Sequence, residues 1–172
     1  SFDRTCYEFT CTDHFEESLE VLLNFVQSPY FTEKTVQKEQ GIIGQEIRML
    51  QDRPGWRVLF NLLNALYQNH PVKVDIGGTV ESIAQITPEL LYRCYRTFYH
   101  PNNMVLAVAG NFDYQKAIEI VEKCIKPGDE AIQADSKMPE EPREVAQKKI
   151  SDKLEVAVPL FNIGFKECPL SG

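Results

Sequence analysis

The chain has 172 residues, a hydrophobic fraction of 43% and a formal net charge of −7, enough for one ordinary domain with a real core. An acidic balance without a Lys/Arg-rich run argues against general nucleic-acid binding, and no apolar stretch is long enough to span a bilayer. The first residues, Ser1-Phe-Asp-Arg-Thr-Cys-Tyr7, show no charged-then-apolar leader, and five cysteines without C-x-x-C spacing point to a reducing, cytoplasmic setting.

Residues 2–12 alternate as a strand does, with Phe2, Arg4, Cys6, Glu8 and Thr10 on one side. Asp13 then caps a helix, with Glu16 three residues on, and Phe15, Leu19, Leu22, Leu23 and Val26 form its apolar stripe. Ser28-Pro29 stops it. Thr32 caps a second helix that runs to about Gln51. Asp52 and Pro54 mark the start of a third, strongly apolar helix, with Trp56, Leu59, Phe60, Leu63, Leu66 and Tyr67, and His70-Pro71 ends it. A Gly77-Gly78 loop and a short helical turn from Thr79 follow. Thr87-Pro88-Glu89 opens the next helix, with proline at its first position. Leu91, Tyr95 and Phe98 point inward from it, up to His100-Pro101.

Met104 to Ala109 has the length and composition of a strand. Asp113 caps a helix with Ala117, Ile118, Val121 and Ile125 on its face. Residues 126–145 are rich in Pro, Glu, Asp and Gly and read as a flexible, solvated loop. Strand character returns from Val156 to Phe165. Helices lie early and strands lie at both ends, which predicts an α+β domain with an antiparallel sheet and helices packed on one face.

The second helix holds the sharpest conflict in the pattern. Its expected buried stripe is Val36, Glu39, Ile43, Glu46 or Ile47, and Leu50. Glu39 and Glu46 lie seven residues apart, which brings them to nearly the same side of a helix. Two carboxylates on an apolar seam are costly unless paired, hydrogen-bonded or bound to metal. One reading places them at the edge of the stripe, solvated or paired with Lys38 or Arg48. The other makes Glu46 a hard oxygen ligand to zinc, with Glu39 orienting a neighbour. Gly41 and Gly44 weaken this helix, by roughly 1 kcal/mol each relative to alanine. They are either tolerated small residues or places where another element comes close.

No complete catalytic apparatus is visible. His14, His70 and His100 are not spaced for helical metal ligation, and neither H-E-x-x-H nor its inverse occurs. Tyr92, Tyr95, Phe98 and Tyr99 beside Arg93 and Arg96 fit core packing better than a nucleic-acid stacking platform.

The order of motifs adds more. Glu39-Gln-Gly-Ile-Ile-Gly-Gln-Glu46, Asn69-His-Pro71, Gly77-Gly-Thr-Val-Glu-Ser-Ile83, Ile86-Thr-Pro-Glu-Leu90 and Tyr99-His-Pro-Asn-Asn-Met-Val-Leu-Ala-Val-Ala-Gly110 together resemble the pitrilysin/insulinase family of zinc metallopeptidases, nearest to its bacterial processing-peptidase-like members. The resemblance implies a zinc-dependent endopeptidase of peptide substrates. In that family zinc is held by an inverted H-x-x-E-H helix and a downstream glutamate, and the glutamate of that motif is the general base. Position by position, Glu46 matches the downstream zinc ligand and Glu39 the glutamate that supports the site from behind it.

The H-x-x-E-H element is absent here and is expected upstream of Ser1. The chain is therefore expected to be a fragment cut at both ends, inactive alone, without a catalytic residue of its own and holding Zn2+ weakly or not at all. Residues 1–83 would be the C-terminal part of the zinc-site half, and 84–172 the start of a scaffold half. Expected partners are peptide substrates, the missing parts of the same protein and a related subunit in a homo- or hetero-dimer. The alternative is a non-catalytic chamber subunit that binds substrate. An interaction module unrelated to peptidases would leave Glu39 and Glu46 pointing to solvent, whereas the catalytic reading needs both on the face towards the sheet or cleft.

Overall fold

A computed structural model describes residues 4–126, 128 and 137–167. Among these described residues six α-helices appear in chain order: α1 Phe15–Val26, α2 Glu33–Gln51, α3 Pro54–Leu66, α4 Val80–Ile83, α5 Pro88–Phe98 and α6 Tyr114–Cys124. Short 3-10 turns, Pro71–Lys73 and Pro101–Asn103, follow the two His-Pro pairs.

The helix starts follow local chemistry. The Thr87 hydroxyl accepts from the Leu90 N–H and Pro88 takes the first position of α5, where its missing N–H costs nothing. Asp113 accepts from the N–H groups of Gln115 and Lys116 at the start of α6. Thr32 accepts from the Thr35 N–H, and its carbonyl takes the first bond of α2. The start of α1 differs from expectation by one residue. His14, at φ 53°, stands at the cap, and Asp13 accepts only the His14 N–H.

The expected antiparallel sheet is not found. Among the described residues there is no strand, and the architecture is helical. Residues 4–12, 104–109 and 156–165 lie outside any helix or ladder, and side chains such as Val105, 95% exposed, stand in solvent. Alternation in a sequence records which side chains share a face. A strand also needs a neighbouring backbone to exchange hydrogen bonds with, and no such ladder forms among these residues.

The chain divides into two compact units that interleave in sequence. One contains Gln37–Gln85 and the described part of 136–172. The other contains Arg4–Val36 and the described part of 86–135.

In the second unit α1 packs along α6. Leu19 of α1 is 1% exposed, and Ala117 and Cys124 of α6 are buried. Phe15 meets Phe112 with ring centroids 5.1 Å apart. The Gln27 amide bridges to α6, donating to the Cys124 carbonyl and accepting from the Lys126 N–H. Tyr95 of α5 donates to the Val26 carbonyl at 2.7 Å, and the Tyr92 hydroxyl accepts from the Phe31 N–H. Tyr95 stacks on Tyr99, whose hydroxyl lies 2.7 Å from that of Tyr7. That bond, with partial burial, pushes the Tyr7 phenol up to about 12.

In the first unit the segment 137–167 runs beside α3 without helix or ladder. The Gln147 N–H donates to the Ala65 carbonyl, Arg57 pairs with Asp152, and Gly164 comes close to Leu62 and Leu66. A Cβ at Gly164 would stand 2.8 Å from Leu66 Cδ1, so only glycine fits without displacement. Glu141 accepts from three successive backbone N–H groups, those of Gln68, Asn69 and His70. The same carboxylate pairs with Lys166, which also lies over the Tyr67 ring. Of the expected flexible loop 126–145, which contains Glu141, residues 127 and 129–136 fall outside the described residues.

Candidate functional site

The candidate site is one side of α2 in the first unit. This helix is unbroken from Glu33 to Gln51, so Gly41 and Gly44 are accommodated inside it. Its buried face is not the expected one. Val36 and Ile47 are buried as expected, but the positions between them are filled by half-buried Gln40 and buried Gly44. Glu39 and Glu46 are exposed, and Ile43 is exposed as well. The sequence pattern erred because it assigned the glutamates to a stripe only one residue away from the true one, a rotation of about 100°.

What packs on that face is the segment from Gly77 to Ile83. The Gln40 side-chain amide donates to the Ile83 carbonyl at 3.0 Å. Gly44 lies against Ile83, whose Cδ1 would be 3.8 Å from a Cβ at that position. Gly77 lies against Ile47, with Ile47 Cγ1 3.8 Å from where its Cβ would be. A Cβ on Gly44 would therefore sit at ordinary contact distance from Ile83, and one on Gly41 would meet open space.

The Gly77–Ile83 segment is itself held firmly. Thr79 and Ser82 exchange bonds in a capping box that starts α4. Asp75 accepts from the Gly77 N–H at 2.9 Å and from the indole N–H of Trp56 at 2.8 Å, which ties the loop to α3. Gly78 has φ +72°, and a Cβ there would stand 2.6 Å from Ser82 Oγ. Glycine is required at that position both by the left-handed backbone and by the close hydroxyl.

Glu39 and Glu46 stand apart from this packing. At about 100° per residue they lie within about 20° of each other and about 110° from the middle of the Gln40–Gly44–Ile47 face. Both carboxylates are accessible on one side of the helix, away from the face that packs on Ile83.

The three histidines are placed elsewhere in the chain. His14 stands beside Asp13 and Glu17 at the start of α1. In both His-Pro turns the imidazole Nδ1 accepts a backbone N–H, from Val72 for His70 and from Asn102 for His100. A nitrogen used this way has no lone pair left for a metal. No three His, Cys, Asp or Glu side chains come together at metal-binding distance among the described residues. Glu46 has the hard oxygen donor that zinc accepts, but it is one donor where zinc takes about four. The described residues therefore do not form a zinc site by themselves.

Sequence reasoning missed Gln40, Asp75 and Glu141. Gln40 had a usable signal, since it lies four residues before Gly44 and seven before Ile47. Glu141 had none, because its partners are backbone groups about seventy residues away.

Comparison with known proteins gives the setting for these residues. Residues 1–80 match the family described as "Insulinase (Peptidase family M16)", and residues 85–172 match "Peptidase M16 inactive domain". Over 121 residues the chain is 56% identical to a Bacillus subtilis protein named uncharacterized zinc protease YmfH; the match covers 70% of this chain and 28% of that protein. It is 32% identical over 137 residues to YmxG, a second B. subtilis protein with the same description, covering 72% of this chain and 33% of the relative. A mitochondrial-processing peptidase subunit beta from Caenorhabditis elegans is 26% identical over 125 residues, covering 72% of this chain and 27% of that protein. A crystal structure of an M16-like peptidase from Alicyclobacillus acidocaldarius matches with a TM-score of 0.75 at 45% identity, over 79% of this chain and 33% of that one. The matched region thus spans about a third or less of each relative. The motifs from Glu39 to Gly110 and both family matches agree: the chain belongs to the insulinase family of peptidases, M16, and is homologous to its bacterial zinc proteases.

Proposed function

We propose that the chain is part of a longer zinc-dependent metallopeptidase that hydrolyses peptides, with Glu46 as a zinc ligand and Glu39 supporting the site. The observation that carries this reading is the likeness in sequence: the chain is 56% identical over 121 residues to a protein named as a zinc protease. Both carboxylates are exposed on one side of an unbroken helix, and the reading expects the polypeptide that covers them to lie outside this sequence. Zinc, when bound, supplies Lewis acidity for attack on a peptide carbonyl. The role of this chain is to present one carboxylate from a rigid helix and to place a second beside it. The other ligands and the general base belong to polypeptide outside this sequence, which fits the share of each relative that is matched. Residues 1–83 are read as belonging to the zinc-site half and 84–172 to a scaffold half, supported by family matches ending at 80 and starting at 85. A cytoplasmic setting, on cysteine spacing alone, belongs to the same proposal.

In the full-length protein, Glu46→Gln is expected to lower zinc content to a small fraction of wild type and to abolish cleavage of a quenched peptide. Full zinc content in that variant would remove Glu46 from the ligand set. The isolated 172-residue chain is expected to show no turnover; chelator-sensitive turnover by it would overturn the division of the site.

A second reading has its own support. The match of residues 85–172 to a domain described as inactive favours a non-catalytic chamber subunit paired with a related chain. Peptide binding without zinc or turnover in the full-length protein is the result it expects.

A further inference from the structure

We propose that the backbone turn Gln68–His70, together with the Lys166 ammonium, is a carboxylate-binding site that Glu141 fills as a tethered ligand, and that it takes a free carboxylate ion when the Glu141 side chain is removed. The site stands apart from Glu46 and does not depend on the zinc reading.

Its donors come from the backbone. Gln68, Asn69 and His70 are successive residues, and their N–H groups reach the Glu141 carboxylate at 2.8, 2.7 and 2.6 Å. Successive amides aimed at one point make a concave seat for an anion without any side chain. The two oxygens are used separately. Oε1 accepts from the Gln68 N–H and the Lys166 ammonium, and Oε2 accepts from the Asn69 and His70 N–H groups. A flat anion with two oxygens satisfies that set, and a spherical ion does not.

The seat is held by bonds that do not pass through the carboxylate. The Gln68 side-chain amide donates to the Glu144 carbonyl at 3.0 Å, and that of Asn69 to the Glu140 carbonyl at 2.8 Å. These two bonds clamp the chain on either side of Glu141. Lys166 has a further acceptor in the Glu144 carbonyl and lies over the Tyr67 ring. Its side chain is 8% exposed. The Lys73 ammonium, bonded to the Gln68 carbonyl, adds a second positive charge nearby. Loss of the Glu141 side chain would leave three amides without this acceptor and a buried cation without its counter-charge, and an uncompensated buried charge is strongly destabilising. A free ion of the same shape relieves both. In the intact chain the seat is already filled, so the same ion has nothing to add.

The test uses the full-length protein and formate, which is a carboxylate without a side chain behind it. Glu141→Gly clears the space, and Glu141→Gln fills it with a neutral amide. Unfolding midpoints are read at pH 7 in rising sodium formate and in sodium chloride of equal ionic strength. Glu141→Gly is expected to melt below wild type and to recover more than half of the lost midpoint in formate but not in chloride, as a ligand that binds only the folded state requires. Wild type and Glu141→Gln are expected to respond alike to the two salts. Formate is also expected to slow hydrogen exchange at the Gln68–His70 amides of Glu141→Gly. Equal recovery in chloride would reduce the effect to screening, and an equal formate response in wild type, or recovery without slower exchange at those amides, would put the ion elsewhere. Each of these overturns the site, as does the absence of any formate response. If Glu141→Gly does not fold in plain buffer, refolding into formate is expected to recover it where chloride does not, and failure in formate overturns the site as well.

Discussion

At the scale of single residues, Glu141 shows how one carboxylate can serve several donors. Its two oxygens accept the N–H groups of Gln68, Asn69 and His70 and pair with Lys166, and its side chain is 15% exposed. Partial burial works to raise its pKa, but Lys166 and the three backbone donors outweigh that and draw it down to about 2. A depressed carboxyl pKa stabilises the folded chain above the ordinary carboxylate value and loses that effect as pH falls through the folded value. Glu141→Gln is therefore expected to lower the unfolding midpoint by the same amount at pH 7 and pH 5. The gap to wild type should then narrow steadily from about pH 4.5 to pH 2. Thermal melts across that range check it, and a gap unchanged at pH 2 would show that the charge is not what matters. None of this could be read beforehand. Composition marks the stretch around Glu141 as solvated, and backbone donors at a distance leave no trace in a sequence. Gly78 lies at the other extreme, since a Gly-Gly pair before a Thr cap announces its turn directly.

At the scale of elements, the α1–α6 pair separates strong from weak contributions. Leu19 fills the contact and is 1% exposed, so Leu19→Ala is expected to cost about 2–5 kcal/mol. The ion pairs Lys116–Glu16 and Lys123–Glu20 flank the same contact in solvent. Glu16→Gln is expected to leave stability unchanged within error, because exposed pairs are screened and lose side-chain entropy. Chemical denaturation of both variants decides the ordering. Helices were legible because their signals are local: Thr87-Pro88, Asp113 and Thr32 each mark a start that the structure keeps. The face of α2 was less legible, because glycine and glutamine carry little apolar weight even where they pack. Alternation predicted strands that are not found among the described residues, since the ladder that defines a strand is a property of two segments.

At the scale of the whole chain, the two compact units do not follow the order of the sequence. Residues 37–85 pack with the segment after 136, while 4–36 pack with 86 onward. Family matches divide the chain near residue 80 instead, because descent is recorded along the sequence and packing is not. The described residues of both units leave large apolar side chains in water, among them Phe161 at 80% and Phe165 at 87% exposure. Extended apolar segments without a ladder favour association. The isolated chain is expected to self-associate with rising concentration, and Phe161→Lys with Phe165→Lys to reduce this several-fold in light scattering. Equal scattering by the double variant would place the sticky surface elsewhere. The contact between Glu141 and the Asn69 loop also has a consequence in time. Its partners are 71 to 73 residues apart. During synthesis at roughly 5–20 residues per second, the loop must wait on the order of ten seconds for its carboxylate. Until then three adjacent amides face water with no protein acceptor from this segment, and α3 matures ahead of the strap that later closes over its end.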